Sequence, residues 1–453
     1  MKGYYIENFG CRAAQADGSA IERQLADIGM RRVATAEDAE VVVLNTCTVT
    51  SAADQDARAA IRRVHRQQPG ARVLVTGCYA QRAPEEISKL EGVTWVVGNS
   101  HKHQIGNIVA GPTLAETSSF FPLSALQMDS GAARPFQARI YASDIFAHTE
   151  LKPAPVFDGI ERTRPNLKIQ DGCDNRCSFC VIPFVRGQSR SLRTDDVLRK
   201  LEELQLAGYR EIVISGINLG RWGRDLEKPQ TFHDLLRTIL DQTSIEKLRL
   251  SSIEPMDWTD DLIGLFACSP RIAKHAHVPL QSGSDSVLRK MHRKYRPWHY
   301  AERIEKIRKA VPDAAIGADV MVGFPSESAE RFEESWLFIK SLPFTYLHVF
   351  AYSPRPGTLA ASMSDQVPVA TARERSRELR ELAAAKNLAF RRKFMGRTVE
   401  AITLAHSHQN GTEALTDNYL RLQVQGQQAS NRWIRAKIEA VTEEGLSGSV
   451  TFC

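Results

Sequence analysis

Three cysteines fall within eight residues, as Cys173-x3-Cys177-x2-Cys180. A 4Fe–4S cluster is a small cube whose irons each take a thiolate. A short loop with three cysteines therefore fills three corners and leaves one iron open for a substrate or cofactor. Electron-carrier loops instead bring four thiolates per cluster, at other spacings. A zinc site would add a second CxxC or a histidine pair nearby, and neither follows. The chain holds eight cysteines, the others being Cys11, Cys47, Cys78, Cys268 and Cys453. An even count permits disulfides. The opening MKGYYIENFGC, however, turns polar too soon for a secretory signal, and in a cytosolic chain of 453 residues metal binding or catalysis is the expectation.

The contexts of the first three cysteines repeat. YYIENFG leads to Cys11, VVVLNT to Cys47 and RVLVTG to Cys78, each a short apolar strand with a cysteine at or just past its carboxyl end. Helical spacing fills the intervals: Ile21, Leu25 and Ile28 in one, Ala57, Ile61 and Val64 in the other. This predicts an open α/β unit over residues 1–110, closing near Val96, Val97 and Gly98. Such parallel sheets bind ligands at the carboxyl ends of their strands. Isolated cysteines are more often buried small hydrophobes, but threefold placement at strand ends points to a second three-thiolate cluster. Cys268 and Cys453 have no such partners and are expected to be structural or free.

Residues 111–164 are rich in Pro, Ser and Gly with little periodicity, and read as a linker with one short helix or hairpin around 136–146. From 165 to 388, six strand candidates alternate with helical segments: 166–170, 211–216, 247–252, 275–280, 317–323 and 346–352. This spacing predicts a parallel sheet curled into an incomplete six-unit barrel, too short for eight units. Just past the strands come Cys173, Asn218, Glu254, Gln281, Pro325 and Ser353. Singly, each is an ordinary turn former or cap; together they describe one active-site mouth. Residues 389–453 alternate in EAITLAH, YLRLQVQG, IRAKIEAVT and LSGSVTF, a small all-β barrel of oligonucleotide-binding size. The fold class is thus α/β with an all-β appendage.

Composition sets the outer bounds. Forty-three per cent hydrophobic and a quarter charged is the balance of a soluble globular protein, with no apolar run near the roughly 18 residues of a membrane span. Cytoplasm is the expected compartment, and no membrane partner is expected. The net charge of +6 is small, but residues 371–397 alone carry nine basic and three acidic side chains. That stripe suits either a solvated helix face or a phosphate backbone.

Whole segments resemble one family. CDNRCSFC is similar to the cluster loop of radical S-adenosylmethionine enzymes, and FGCRAAQAD, NTCTVTSAAD and VTGCYAQ resemble the N-terminal domain of methylthiotransferases. SSIEP (251–255), HVPLQSGSDSVLRKMHRKY (277–295), VGFPSES (322–328) and FAYSPRPGT (350–358) extend the likeness, and the C-terminal barrel is similar to a TRAM domain. Only 111–164 lies outside it. NTCTVT with FAYSPRPGT points to the branch acting on tRNA N6-threonylcarbamoyladenosine. The family usually has Asn at Ala14, Ser at Gly18, Gly at Ser326 and Pro at Ala351.

The resemblance implies two 4Fe–4S clusters. One, on Cys173, Cys177 and Cys180, binds S-adenosylmethionine and generates a 5′-deoxyadenosyl radical that takes hydrogen from adenine C2. The other, on Cys11, Cys47 and Cys78, holds the sulfur to be inserted. It further implies Phe179 beside the cofactor's adenine, and Gly216, Asn218, Ser252, Glu254 and Gln281 as contacts to its ribose, amino or carboxylate groups. RNA, the anticodon stem-loop of tRNA, would be gripped at Arg391, Arg392 and Lys393, with Tyr419 or Trp433 stacking on a base unless both are core. An electron donor and a sulfur donor of unspecified identity are also required. Three rivals stand: the same chemistry on isopentenylated adenosine, the same on an aspartate of a ribosomal protein, and an iron–sulfur RNA-binding protein without turnover.

Overall fold

The apolar runs before Cys47 and Cys78 form the centre of a six-stranded parallel sheet. In a computed structural model, which describes residues 2–111, 138–151, 163–408 and 411–451, its strands are β1 (Gly3–Asn8), β2 (Arg31–Arg32), β3 (Val41–Thr46), β4 (Arg72–Gly77), β5 (Val93–Val97) and β6 (Arg139–Tyr141), in the order β2-β1-β3-β4-β5-β6. β3 is buried along its whole length because helices cover both faces, which is why it reads as a continuous apolar run rather than an alternation. Val41 and Val43 join Ile21, Leu25, Ile105 and Val109 on one face. Val42 and Leu44 join Ala57, Ile61 and Val64 on the other. Each buried Leu or Ile contributes about 1.5–3 kcal/mol. The helices are α1 (Arg12–Asp27), α2 (Ser51–Gln67), α3 (Cys78–Arg82), α4 (Pro84–Ser88) and α5 (Ile105–Ala110).

The sixth strand corrects the linker reading. β6 lies within 111–164 yet pairs in parallel with β5, Trp95 opposite Arg139. Its three residues are too few to show a period. A short 3-10 helix follows at Ile145–Ala147, while 112–137 and 152–162 lie outside the described residues, as does Cys453. The chain divides into two compact units, Met1–Phe157 with Val181–Gln188, and Asp158–Cys180 with Ser189–Cys453. A short helix, α6 (Ile182–Arg186), thus belongs to the first unit, although it follows the second cysteine trio in sequence.

In the second unit, the expected strands form two parallel three-stranded sheets. One is β7 (Asn166–Lys168), β10 (Glu211–Ser215) and β11 (Lys247–Leu250), with the short pair β8 (Gln170–Asp171) and β9 (Arg190–Ser191) beside it. The other is β12 (His275–His277), β13 (Ala315–Val322) and β14 (Tyr346–Ala351). Helices α7 (Thr194–Leu206), α8 (Phe232–Gln242), α9 (Asp260–Cys268), α10 (Asp285–Lys290), α11 (Pro297–Ala310) and α12 (Ala329–Ser341) supply the crossovers. Helix α13 (Val369–Arg392) lies against β14 and covers what would be an open sheet edge, Arg380 donating to the Val349 carbonyl. Ser326, at a usual glycine position, sits at φ +68°, a conformation that costs a non-glycine about 1–2 kcal/mol. Its backbone N–H and hydroxyl are both held by Asp365.

The C-terminal barrel closes as β15 (Thr398–His408), β16 (Gly411–Thr416), β17 (Arg421–Gln425), β19 (Leu446–Val450) and β18 (Trp433–Val441). β16 was not among the expected strands. Phe390 and Phe394, at the end of α13, enter its core with Leu422, Val424 and Ile438. No helix of the described residues is long and apolar enough to cross a membrane.

Candidate functional site

In the first unit, Cys11, Cys47 and Cys78 follow β1, β3 and β4, three adjacent strands, at the point where strand order reverses. Two glycines bring them together. Gly10 and Gly77 both take φ +97°. A Cβ on Gly10 would stand 2.8 Å from Cys47 Cβ and 3.0 Å from its Sγ; one on Gly77 would overlap the backbone of Thr46. The loops before Cys11 and Cys78 therefore press on the loop of Cys47, an approach only glycine allows. Cys11 is also the N-cap of α1, and Cys78 opens α3, so helix N-termini face the sulfurs. Cys78 packs on Val181 and Val185. Gly77→Ala should lower iron bound at this trio by more than half after reconstitution, measured as iron per chain, because the Cys47 and Cys78 loops must separate.

The electrostatics suit a metal cluster. Burial pushes the Cys47 thiol up to about 11, Cys78 and Cys11 adding to the push, while the Val49 N–H and Arg186 oppose it. Thiols crowded this way resist ionising one another, and a cationic cluster reverses that balance by drawing off their protons. Nitrogen donors already face the sulfurs: the Val49 N–H lies 3.5 Å from Cys47 Sγ, and Asn99 Nδ2 lies 3.6 Å from Cys78 Sγ while also donating to the Val185 carbonyl at 2.8 Å. Such hydrogen bonds tune cluster potentials. Beneath, buried Asp17 accepts from Arg186 at 3.0 Å and Lys102 at 2.8 Å.

The departures at Ala14 and Gly18 have a structural account. Asn45 donates to the Ala14 carbonyl at 2.7 Å and to Asn8 Oδ1 at 2.9 Å. A Cβ on Gly18 would overlap the Asn8 carboxamide. The Asn8 side chain fills the space that residue 18 leaves.

In the second unit, Cys173, Cys177 and Cys180 are half-buried on the loop after β8. The loop is anchored by the Ser178 N–H on the Met291 carbonyl at 3.1 Å and the Ser178 hydroxyl on the Lys290 carbonyl at 2.7 Å. Asn218 Nδ2 donates to Cys173 Sγ at 3.6 Å, and Arg293 Nη1 to Cys177 Sγ at 3.3 Å. Burial pushes the Cys173 thiol up; the Asn175 N–H pulls it back, Cys177 pushes further, Asn218 pulls and Glu254 pushes. Arg293 also pairs with Glu254. A pocket at this point is lined by Asn175, Cys177, Arg221, Glu254, Arg293 and Lys294, among others.

The expected cofactor contacts divide. Asn218 reaches the cluster loop, and its own N–H is fixed by Gln170 Oε1 at 2.7 Å. Gly216 acts by absence: a Cβ there would meet Gln170 Oε1 at 2.9 Å. Glu254 is held by Arg293. Ser252 shares a hydrogen bond with His277 Nδ1 at 2.7 Å instead of facing solvent freely. Gln281 sits at φ +68° with a buried Oε1 that has no hydrogen-bond partner among the described residues, a position from which a ligand donor could satisfy it. Phe179 meets Phe324 edge to face, centroids 6.4 Å apart. Sequence reasoning missed Asn99, Gln170 and Arg293. Of these, Arg293 lay inside the matched HVPLQSGSDSVLRKMHRKY segment.

One expected RNA contact, Arg391, is corrected, and for Tyr419 and Trp433 the structure favours the core alternative. Arg391 is buried and donates to the carbonyls of Thr442, Glu443 and Gly445 at 2.5–3.2 Å, so it ties α13 to the barrel. Tyr419 stacks on His275, centroids 4.2 Å apart, beneath the Arg249 guanidinium. Trp433 has Lys247 over its ring. These aromatics pack within the chain because the barrel leans on the bases of β11 and β12. Part of the basic stripe is engaged within the chain: buried Arg375 on Glu327, half-buried Lys386 on the Lys340 and Leu342 carbonyls, and exposed Arg397 on Asp313. Arg392 and Lys393 are exposed.

Comparison with known proteins agrees with this geometry. Residues 3–98 match the model "Uncharacterized protein family UPF0004", and residues 167–339 match the "Radical SAM superfamily". The chain is similar to threonylcarbamoyladenosine tRNA methylthiotransferase MtaB of Bacillus subtilis (strain 168), 36% identical over 93% of this chain and 90% of the relative. It is also similar to tRNA-2-methylthio-N(6)-dimethylallyladenosine synthase of Syntrophobacter fumaroxidans, 35% identical over 85% of this chain and 82% of that one. Among solved structures, the radical S-adenosylmethionine methyltransferase TsrM from Kitasatospora setae, with cobalamin and a [4Fe-4S] cluster bound, has a TM-score of 0.55 at 15% identity, covering 80% of this chain and 77% of that one, a likeness of fold. With identity above one third sustained over nine-tenths of both chains, this chain belongs to the radical SAM methylthiotransferase family.

Proposed function

We infer that this chain transfers a methylthio group to C2 of N6-threonylcarbamoyladenosine, beside the anticodon of tRNA, by radical S-adenosylmethionine chemistry. One observation carries the reading. A chain that aligns nearly end to end with a relative named for this modification keeps two separate cysteine trios, each gathered at strand ends within its own compact unit. A non-catalytic RNA binder would need neither the pocket beside Cys177 nor the donors aimed at Cys173 and Cys177.

When bound on Cys173, Cys177 and Cys180, an iron–sulfur cluster with S-adenosylmethionine supplies one-electron chemistry able to remove a hydrogen too weakly acidic for any side-chain base. The chain's own groups orient and tune. Ser178 fixes the loop through two backbone carbonyls. Arg293 donates to Cys177 and holds Glu254 in place, while Asn218 donates to Cys173. We assign Cys11, Cys47 and Cys78 to a second cluster carrying the sulfur to be inserted, with Val49 and Asn99 as its nitrogen donors. Arg392 and Lys393 are assigned to tRNA phosphates.

The chemistry of the barrel interior favours a polar substrate arm over the dimethylallyl one. Its concave face presents His348, with Asp319 and His277 behind it, whereas an apolar prenyl group gains only from apolar walls. Nucleoside mass spectrometry of tRNA from a deletion strain should show loss of the methylthio group from threonylcarbamoyladenosine alone. Loss from the dimethylallyl nucleoside, or from a ribosomal protein with tRNA unchanged, would overturn the assignment.

A further inference from the structure

On the concave face of the half-barrel, β12, β13 and β14 bring together a trio that the radical chemistry does not use. Asp319 lies directly across from His348 in the β13–β14 ladder, and His348 Nδ1 approaches Asp319 Oδ1 at 3.2 Å. His277 Nε2 lies 3.3 Å from the same oxygen, and its other nitrogen is engaged by Ser252 at 2.7 Å. Burial pushes the Asp319 carboxyl up, but hydrogen bonds and charge from His277 and His348 prevail and hold it well below the usual carboxylate range.

The two imidazoles differ in access. The His277 side chain is 8% exposed, held by Ser252 at Nδ1 with Nε2 beside Asp319; that of His348 is 61% exposed. With Nδ1 turned to Asp319, the opposite ring nitrogen of His348 faces the open side. Asp319 thereby sets the ring plane, as a carboxylate does for the imidazole it accepts from. Below this trio the face is closed by rings, Tyr346 stacked between His275 and His277 with centroids 5.9 and 6.0 Å away. Above it, Ser252 leads within two residues to Glu254 and so to Arg293 and Cys177. The run from His277 through Ser252 and Glu254 to Arg293 thus joins the trio to the loop of Cys177.

We propose that His348, oriented by Asp319, is the group that binds the free carboxylate of the threonylcarbamoyl arm and so selects this nucleoside from others. The proposal rests on the functional reading above and deepens it. Of the two named substrate arms, only this one carries an acid; with Nδ1 donating to Asp319, the ring offers a second donor as the imidazolium, whose charge discriminates against any analogue that lacks the acid. Asp319 is a positioning residue, since it acts through His348.

The test uses reconstituted full-length chain and anticodon stem-loop RNAs carrying threonylcarbamoyladenosine, its methyl ester or dimethylallyladenosine. The parent should prefer the acid to the ester by about 10- to 100-fold in kcat/KM, the range of a charged hydrogen bond. His348→Phe should reduce that preference to within about threefold, mostly through KM, and His348→Gln should restore part of it. Iron per chain and thermal midpoint verify that each variant folds. An undiminished preference in His348→Phe would overturn the proposal while leaving methylthiolation intact. So would a raised requirement for S-adenosylmethionine with the RNA preference unchanged. A zinc or manganese ion held by the parent and lost in His348→Phe would mark the trio as a metal site and overturn it too. If the parent modifies only the dimethylallyl RNA, the functional reading itself falls.

Discussion

Replacing Cys11, Cys47 and Cys78 together with alanine should lower bound iron from roughly eight to roughly four per chain and abolish methylthiolated product, while S-adenosylmethionine is still cleaved to 5′-deoxyadenosine. The complementary triple replacement of Cys173, Cys177 and Cys180 should also leave about four irons but eliminate cleavage. The asymmetry follows from position: the trios sit in different compact units, each with its own anchoring loops and nitrogen donors. Iron analysis with single-turnover product assays decides it. Zinc in place of iron, or full methylthiolation without the first trio, would sink the two-cluster assignment.

The largest expected effect on stability lies at the base of the half-barrel. Arg249 and Glu211 form an ion pair with neither side chain exposed, Nε to Oε1 at 2.6 Å, and Arg249 also donates to the Asp417 and Thr416 carbonyls. Arg249→Ala would leave the buried Glu211 carboxylate with Arg164 alone, at 3.4 Å, and should cost about 3 kcal/mol in urea unfolding, the low end for a broken buried pair. Arg249→Met combined with Glu211→Leu should recover most of that loss, since the desolvation penalty of both charges disappears. Burial pushes the Glu211 carboxyl up, but the charge and hydrogen bonds of Arg249, helped by Arg164, hold it below the ordinary value. Its contribution is therefore complete above the unfolded carboxyl's pKa of about 4.3 and is lost as pH falls through the lower folded value. The double variant should show a shallower loss of stability in acid than the parent.

How much of this was legible beforehand depended on range. Strand ends carrying Cys11, Cys47, Cys78 and Cys173 were readable because a strand and the residue after it are local, and buried parallel strands write themselves as apolar runs. β6 was not readable: its three residues owe their pairing to Trp95–Val97, more than 40 positions earlier. The trio of His277, Asp319 and His348 was equally hidden. Each stands alone in an ordinary alternating strand, and only the register that sets Asp319 opposite His348 makes them a group. The basic stripe was legible only in part, for a related reason. Charge counted along a sequence does not reveal that Arg375, Lys386 and Arg391 turn inward to carbonyls and a buried carboxylate.

The C-terminal barrel is bolted to the half-barrel rather than tethered. Lys247 and Arg249 grip the Asp417 turn, Asn431 takes the Gly208 carbonyl, Asn418 the Asp313 carbonyl, and Tyr419 is wedged against His275. Those bonds behave as a fixed calliper. The span between Arg392, Lys393 and the mouth above Cys177 is set by the protein before any RNA arrives. On the assignment of Arg392 and Lys393 to tRNA phosphates, nucleotides too near or too far along the loop should go unmodified by geometry alone, whatever groups they bear.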